Sequence, residues 1–394
     1  MGTRARFHTT VLFSRRGCCK IGSGTVFLSI GRNIANRYRA TAGGRQSAEN
    51  DLEDLRESRN TEEIPYIYAV NQRGGCIMKK IMLVGEPMGL FIAREEGPLE
   101  EVSSFLSATA GAELNVAIGL SRLENPVSYM TKLGNDPFGA RIVHTLQKNG
   151  ISTQLLSFSD EYSTGFMLKG KVRSGDPQIF YFRRNSAASH ITVEDIDRLS
   201  FEGYGILHMT GIFPALSAST REAAFYLMEK ARKAGLTISF DPNLRPQLWP
   251  DTKTMAQTLN SLAEQADYVL PGESEGEILL GTRDPKRIGA HYLEKGAKAV
   301  IVKTGKRGAY AASREENFQC PTYQEDAFVD TVGAGDGFAA GILSALNEGL
   351  SLREAVQRAN AIGTIQIQSV GDNEGLPTRE ELKRFMDTHP FKRV

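Results

Sequence analysis

From residue 78 onward the hydrophobic positions fall into two alternating patterns. Short apolar runs at 81–84, 127–131, 206–209, 237–241, 268–270, 299–304 and 308–313 predict strands. Between them, apolar residues at helical spacing predict helices over 112–123, 138–149, 219–234, 252–266, 273–280, 286–295, 335–348, 352–369 and 379–388. Leu114, Ala117, Ile118, Leu120 and Leu123 mark the face of the first helix, and Gly150 ends the second. The strand–helix rhythm predicts an α/β fold with a mostly parallel sheet covered on both faces. Two stretches break it. Residues 164–172 and 178–183 have strand composition around the turn Ser174-Gly175-Asp176-Pro177 and read as a hairpin. With residues 87–110, they predict a small β excursion from the main sheet.

The chain has 394 residues, 41% hydrophobic and 24% charged, which is enough for a packed core and rules out disorder throughout. The 47 Lys+Arg balance 46 Asp+Glu, which argues against binding nucleic acid by broad phosphate neutralisation. No run approaches the roughly 18 apolar residues of a membrane span. The charge is uneven, however. Residues 1–77 hold 12 Lys+Arg and 7 Asp+Glu, a net of +5, and residues 78–394 hold 35 and 39, a net of −4. Cys18, Cys19 and Cys76 lie in the first part and only Cys320 in the second, so there is no disulfide framework. The globular part reads as an intracellular, cytoplasmic enzyme.

The Arg-rich, acid-free stretch before Glu49 resembles a mitochondrial transit peptide. Against that, Met78-Lys79-Lys80-Ile81 looks like a bacterial start followed at once by a buried strand. Arg73-Gly74-Gly75 can be encoded by a purine run resembling a ribosome-binding site. The expectation is that residues 1–77 are a disordered leader without function, and that residues 78–394 form one domain.

The most specific chemistry lies in Asp330-Thr331-Val332-Gly333-Ala334-Gly335-Asp336-Gly337. Small residues at 333–335 let the backbone turn tightly and present successive N–H groups. The helix that starts there adds the positive end of its dipole. Gly333, Ala334 and Gly335 thus predict an anion pocket, with the carboxylate of Asp336 at its mouth. That pairing makes sense if Asp336 takes the proton of a hydroxyl while the pocket holds a transferring phosphoryl group. No Lys-Ser/Thr follows the glycines, so this is no Walker loop, and the spacing is wrong for G-x-G-x-x-G. The bland alternative is a Gly-rich helix start packed closely on a strand.

This segment resembles the second signature of the PfkB (ribokinase-like) carbohydrate kinases. Ala110-Gly111-Ala112-Glu113-Leu114-Asn115-Val116-Ala117, with Gly134 beyond it, resembles their first. The resemblance covers about residues 79–388. Glu124 departs from it, standing at a helix end where the family usually has Gly. The resemblance implies a ribokinase-like three-layer sandwich with a small β-strand lid, and an ATP- and Mg²⁺-dependent transfer to a sugar hydroxyl. It implies Asp336 as catalytic base and 333–335 as the anion hole. It implies ATP contacts from Lys303, Thr304, Gly305 and Gly308, around Lys306, and from Asn360. Glu275 matches the Glu of the family's N-x-x-E motif, which helps hold Mg²⁺ through water, although Gly272 stands where the Asn would be. The lid of such kinases often pairs subunits, which implies a homo-oligomer.

Gly111 and Asn115 resemble the family's sugar-contacting pair. Asp241-Pro242-Asn243-Leu244-Arg245 ends a strand at the sheet edge where α/β ligands bind. Tyr181 and Arg183 are two apart and share one strand face, with Arg184 facing the other way. Arg183 and Arg245 would then clamp a carboxylate, with Tyr181 as a hydroxyl donor. A neutral hexose does not need two guanidinium groups; an acidic sugar does. Gly85-Glu86-Pro87-Met88, Glu113 and the run from Tyr181 to Ser189 resemble the branch of the family that phosphorylates 2-keto-3-deoxygluconate. Met167 departs from that branch, where Tyr is frequent. The alternative substrate is fructose or another neutral sugar. A non-catalytic sugar or nucleotide sensor has no need of Asp336, and a nicotinamide enzyme would carry G-x-G-x-x-G after residues 81–84.

Overall fold

The apolar run Ile81-Met82-Leu83-Val84 has no solvent-facing side. Ile81 and Leu83 enter one buried cluster, and Met82 and Val84 enter the other, on the opposite face. This strand sits inside the main sheet of a computed structural model that describes residues 78–172, 177–369 and 371–392. The expectations for the leader and for the turn at 174–176 fall outside those residues.

In chain order the strands are β1 (Lys80–Val84), β2 (Met88–Glu96), β3 (Phe105–Ala110), β4 (Val127–Gly134), β5 (Leu156–Ser159), β6 (Phe166–Lys171) and β7 (Ile179–Phe182). They continue as β8 (Tyr204–Thr210), β9 (Thr237–Asp241), β10 (Tyr268–Val269), β11 (Ala299–Lys303), β12 (Ala309–Ser313) and β13 (Asn317–Cys320). Nine of them form one sheet in the order β13-β12-β11-β10-β9-β8-β1-β4-β5. Its pairs are parallel from β11 to β5, and the pairs β11–β12 and β12–β13 are antiparallel. Helices cover both faces, as a parallel sheet requires, so the three-layer α/β expectation holds. β5 and β13 had not been expected. Both are edge strands of four residues whose exposed positions dilute the apolar signal.

The excursion is a second sheet of four strands, ordered β3-β2-β6-β7. β6 and β7 pair antiparallel with Phe166 opposite Phe182 and Met167 opposite Tyr181. Alternation divides this sheet sharply. Met88, Leu90, Ala110 and Met167 are buried on one face, and Phe180 and Phe182 are exposed on the other, while Leu106 is exposed at the far end of the first face.

The unusual Glu124 also has a physical reading. The helix Ala112–Arg122 ends with Asn125 N–H bonded to Leu120 O and Glu124 N–H bonded to Ser121 O. This is a Schellman turn, and Glu124 holds its left-handed position at φ 62°. A non-Gly residue there costs about 1–2 kcal/mol. The Glu124–Arg379 pair at 3.0 Å, on an exposed carboxylate, returns about 1 kcal/mol at most. Glu124→Gly is therefore expected to raise the melting temperature by roughly 2 °C, measured by thermal unfolding; a fall would show that the ion pair outweighs the backbone.

Candidate active site

The carboxyl ends of β1, β9 and β11 point at one cavity of about 810 Å³, to which they bring Glu86, Asp241 and Lys303. The small sheet closes one side with Met88, Met167, Ile179 and Tyr181. A second cavity of about 330 Å³ is lined by apolar groups including Phe328, Phe338 and Ile367, together with Asn360 and Thr364. Both cavities touch Lys303, Gly305, Thr331 and Gly335, so they meet at the N-terminus of the helix Ala334–Asn347.

Gly333 caps that helix at φ 77°, and a Cβ there would run into the Asp372 carbonyl oxygen. A Cβ on Gly335 would meet nothing within 4 Å, because this residue faces open cavity. The first-turn amides of a helix have no intrahelical acceptor. Ala334 N–H leans on Thr331 O at 3.3 Å, which leaves the expected anion hole weighted toward Gly335. Asp336 follows in the first turn. Asn115 Nδ2 donates to its Oδ2 at 2.8 Å, and Asn373 Nδ2 donates to Asn115 Oδ1 at 3.0 Å. Burial pushes the Asp336 carboxyl up to about 7, against the Asn115 hydrogen bond and the nearby Arg245 charge; Asp241 and Asp372 push it further up.

At the acceptor end, Gly111, Asn115, Tyr181, Arg183 and Arg245 all line the larger cavity. Gly111 has φ 141°, and a Cβ would lie 2.9 Å from the Glu86 carbonyl oxygen. Arg184 is exposed, as expected. The clamp of two free guanidinium groups needs correction. Arg183 is 6% exposed and its charge is already matched by Glu86, to which Nε donates at 2.6 Å. Ser186 donates to the other Glu86 oxygen. Arg245 is different: its Nη1 donates to the Leu244 carbonyl at 2.9 Å, and it forms no ion pair among the described residues. One unmatched guanidinium faces the cavity, not two.

At the nucleotide end, Thr304 and Gly305 line the larger cavity, and Gly308 and Asn360 line the smaller. Asn360 Nδ2 donates to the carbonyls of Cys320 and Pro321, both at 3.1 Å. Lys303 Nζ is held by Asp241 Oδ2 at 2.6 Å. Burial alone would lower this ammonium, but Asp241 and Glu275 hold it raised. Glu275, expected to help hold Mg²⁺ through water, is engaged by two backbone amides. Its Oε2 accepts Gly272 N–H at 2.6 Å and its Oε1 accepts Leu244 N–H at 3.0 Å. It caps its own helix and pins the loop that carries Arg245. No group of three metal-ligating side chains occurs among the described residues. Mg²⁺ typically binds through phosphates, waters and one or two carboxylates, so the site fits an ion delivered with a nucleotide.

Two acids that carried the resemblance, but were given no role in the site, are buried beside it. Glu86 precedes a proline and carries no periodic signal. Glu113 occupies a helix first turn, where an acid is ordinary, yet it is wholly buried beneath Gly85. Thr210 Oγ1 donates to it at 2.6 Å, and burial pushes its carboxyl up to about 7.

Two cavities meeting at a helix N-terminus, with a half-buried carboxylate between them, fit a phosphotransferase with an alcohol acceptor. The chain belongs to the pfkB family carbohydrate kinases, whose profile matches residues 78–379. It is 49% identical over 303 residues to the 2-dehydro-3-deoxygluconokinase of Bacillus subtilis, covering 77% of this chain and 94% of that one. It is 30% identical over 315 residues to probable fructokinase-2 of Arabidopsis thaliana, covering 78% and 95%. The solved structure of a putative ribokinase II from E. coli with ATP and Mg²⁺ superposes with a TM-score of 0.73 at 27% identity, covering 79% and 100%.

A base whose proton leaves only near pH 7 gives turnover that rises about tenfold per unit below that pH and levels off above it. Asp336→Asn is expected to lower kcat by about 10²- to 10⁴-fold while ATP affinity by calorimetry changes little. Near-normal turnover, or an unchanged acid limb, would remove Asp336 from the role of base.

Proposed function

We propose that this kinase transfers the γ-phosphoryl group of ATP to the terminal hydroxyl of 2-keto-3-deoxygluconate. The observation that carries the reading is the similarity to the Bacillus subtilis kinase, which runs through nearly the whole of that protein. Arg245 supplies matching chemistry, since an unmatched guanidinium in the acceptor cavity favours a carboxylate. Glu86 neutralises Arg183 and fixes it over the Tyr181 ring, 5.7 Å from the centroid, so this pair serves shape and hydroxyl contacts.

In this reading the sugar acid lies between Arg245 and Asp336, with Gly111 and Asn115 beside it. The nucleotide base lies in the apolar cavity near Asn360, and the triphosphate runs past Gly305 to the first-turn amides at Gly335. Asp336 takes the hydroxyl proton as the phosphoryl group is transferred. Mg²⁺ accompanying the nucleotide would neutralise charge on the phosphates, with Glu275 in reach only through water. Residues 78–394 suffice for this activity, in the cytoplasm. The exposed Phe180 and Phe182 on one face of the small sheet suit pairing with a second copy.

A coupled ADP-release screen over 2-keto-3-deoxygluconate, fructose and ribose tests the assignment. The acid is expected to be the preferred substrate. Preference for fructose would establish the rival reading, while Met167 opposite Tyr181, which offers no hydroxyl, points to a related sugar acid or a looser specificity. Arg245→Ala is expected to raise KM for the acid at least tenfold and for fructose much less. Equal effects would remove the carboxylate contact. A chain starting at Met78 should match the full chain in this assay, and light scattering should report a dimer or larger.

A further inference from the structure

The small sheet reaches the anion hole through one buried cation. Lys169 projects from β6, is 4% exposed, and ends between two carboxylates of the main body: Asp330 Oδ2 at 3.0 Å and Asp372 Oδ1 at 3.4 Å. Neither acid is an incidental partner. Asp330 begins the anion-hole loop, and its other oxygen accepts Val332 N–H at 3.1 Å, which shapes the approach to Gly333. Asp372 backs the same loop, its carbonyl standing where a Gly333 side chain would be. The next residue, Asn373, holds Asn115, which holds Asp336. Gln366 Nε2 ties the two segments together by donating to Val332 O at 3.2 Å and Gly371 O at 2.9 Å.

We infer that Lys169 is a positioning residue that couples the seating of the small sheet to the geometry of the anion hole and the base. Without its ammonium, Asp330 and Asp372 face each other unmatched at the back of a pocket that must receive phosphate. Their repulsion would spread the two segments, and the Asn373–Asn115–Asp336 chain would move with them. With the ammonium seated, the pocket is neutralised from behind and the sheet is held down over the acceptor. A sugar that draws the small sheet onto it thereby completes the transfer site, and an empty acceptor cavity leaves the site less well assembled. The inference rests on the kinase reading of the site, but not on which sugar is bound.

The test uses the full chain with Lys169→Met, which keeps length and removes charge, and Lys169→Arg, which keeps charge. Hydrogen exchange is followed in the ligand-free enzyme, and kinetics are followed with 2-keto-3-deoxygluconate. In Lys169→Met, exchange should quicken in 166–171 and also in 332–336. In the same variant kcat should fall about 10- to 100-fold, as expected for a displacement near 1 Å, with KM for ATP changing less than threefold. More ADP should form per sugar phosphate. Lys169→Arg should recover most of the loss. Exchange that quickens only in 166–171, or an Arg variant as impaired as the Met variant, would overturn the coupling. If wild-type enzyme does not phosphorylate 2-keto-3-deoxygluconate, the substrate reading fails while the exchange comparison still decides this one.

Discussion

In the proposed reaction a carboxylate and a transferring phosphoryl group lie side by side, and they repel each other. Much of the site answers that constraint. The helix Ala334–Asn347 begins at the point where charge develops, so its amides and dipole favour the phosphoryl group. Burial pushes the Asp336 carboxyl up to about 7, which makes its deprotonated form a better acceptor for a hydroxyl proton than an ordinary aspartate. Asn115 donates to Asp336 instead of a cation, which orients the carboxylate without lowering its basicity as strongly as an ion pair would.

The remaining acids are managed by the same logic. Glu86 is spent on Arg183, Asp241 on Lys303, and Asp330 and Asp372 on Lys169. Glu275 is spent on two backbone amides. Arg245 has no such match, and it is placed where an anionic acceptor would supply one. Buried ion pairs add little net stability, so these pairings matter here chiefly because each fixes a loop at the sheet edge.

Much of this was legible from the sequence because it lay in local patterns. The apolar runs gave the parallel strands, and the small-residue run before Asp336 announced a tight helix start. What stayed hidden were partners distant in the chain. Nothing local to Arg183 says that Glu86 lies 97 positions upstream against it, or that Lys169 spans 161 and 203 positions to Asp330 and Asp372. Glu275 carries a second role that its motif does not announce: Gly272, lacking a side chain, leaves the carboxylate to close the helix cap itself. Glu124 is the opposite case. Its departure from a glycine position was plain in the sequence, and the left-handed backbone gives it a cause.

The two raised carboxyls also set a limit on the fold. A group that holds its proton more tightly folded than unfolded supports the folded state fully below its unfolded pKa, and that support drains away as pH climbs through the folded value. Asp336 and Glu113 both reach about 7. The native state therefore loses support from both groups over the same interval in which its base becomes competent. Raising the pH from acid toward neutral favours turnover and weakens the molecule together, and bound substrate, by holding only the folded form, would offset the loss during catalysis.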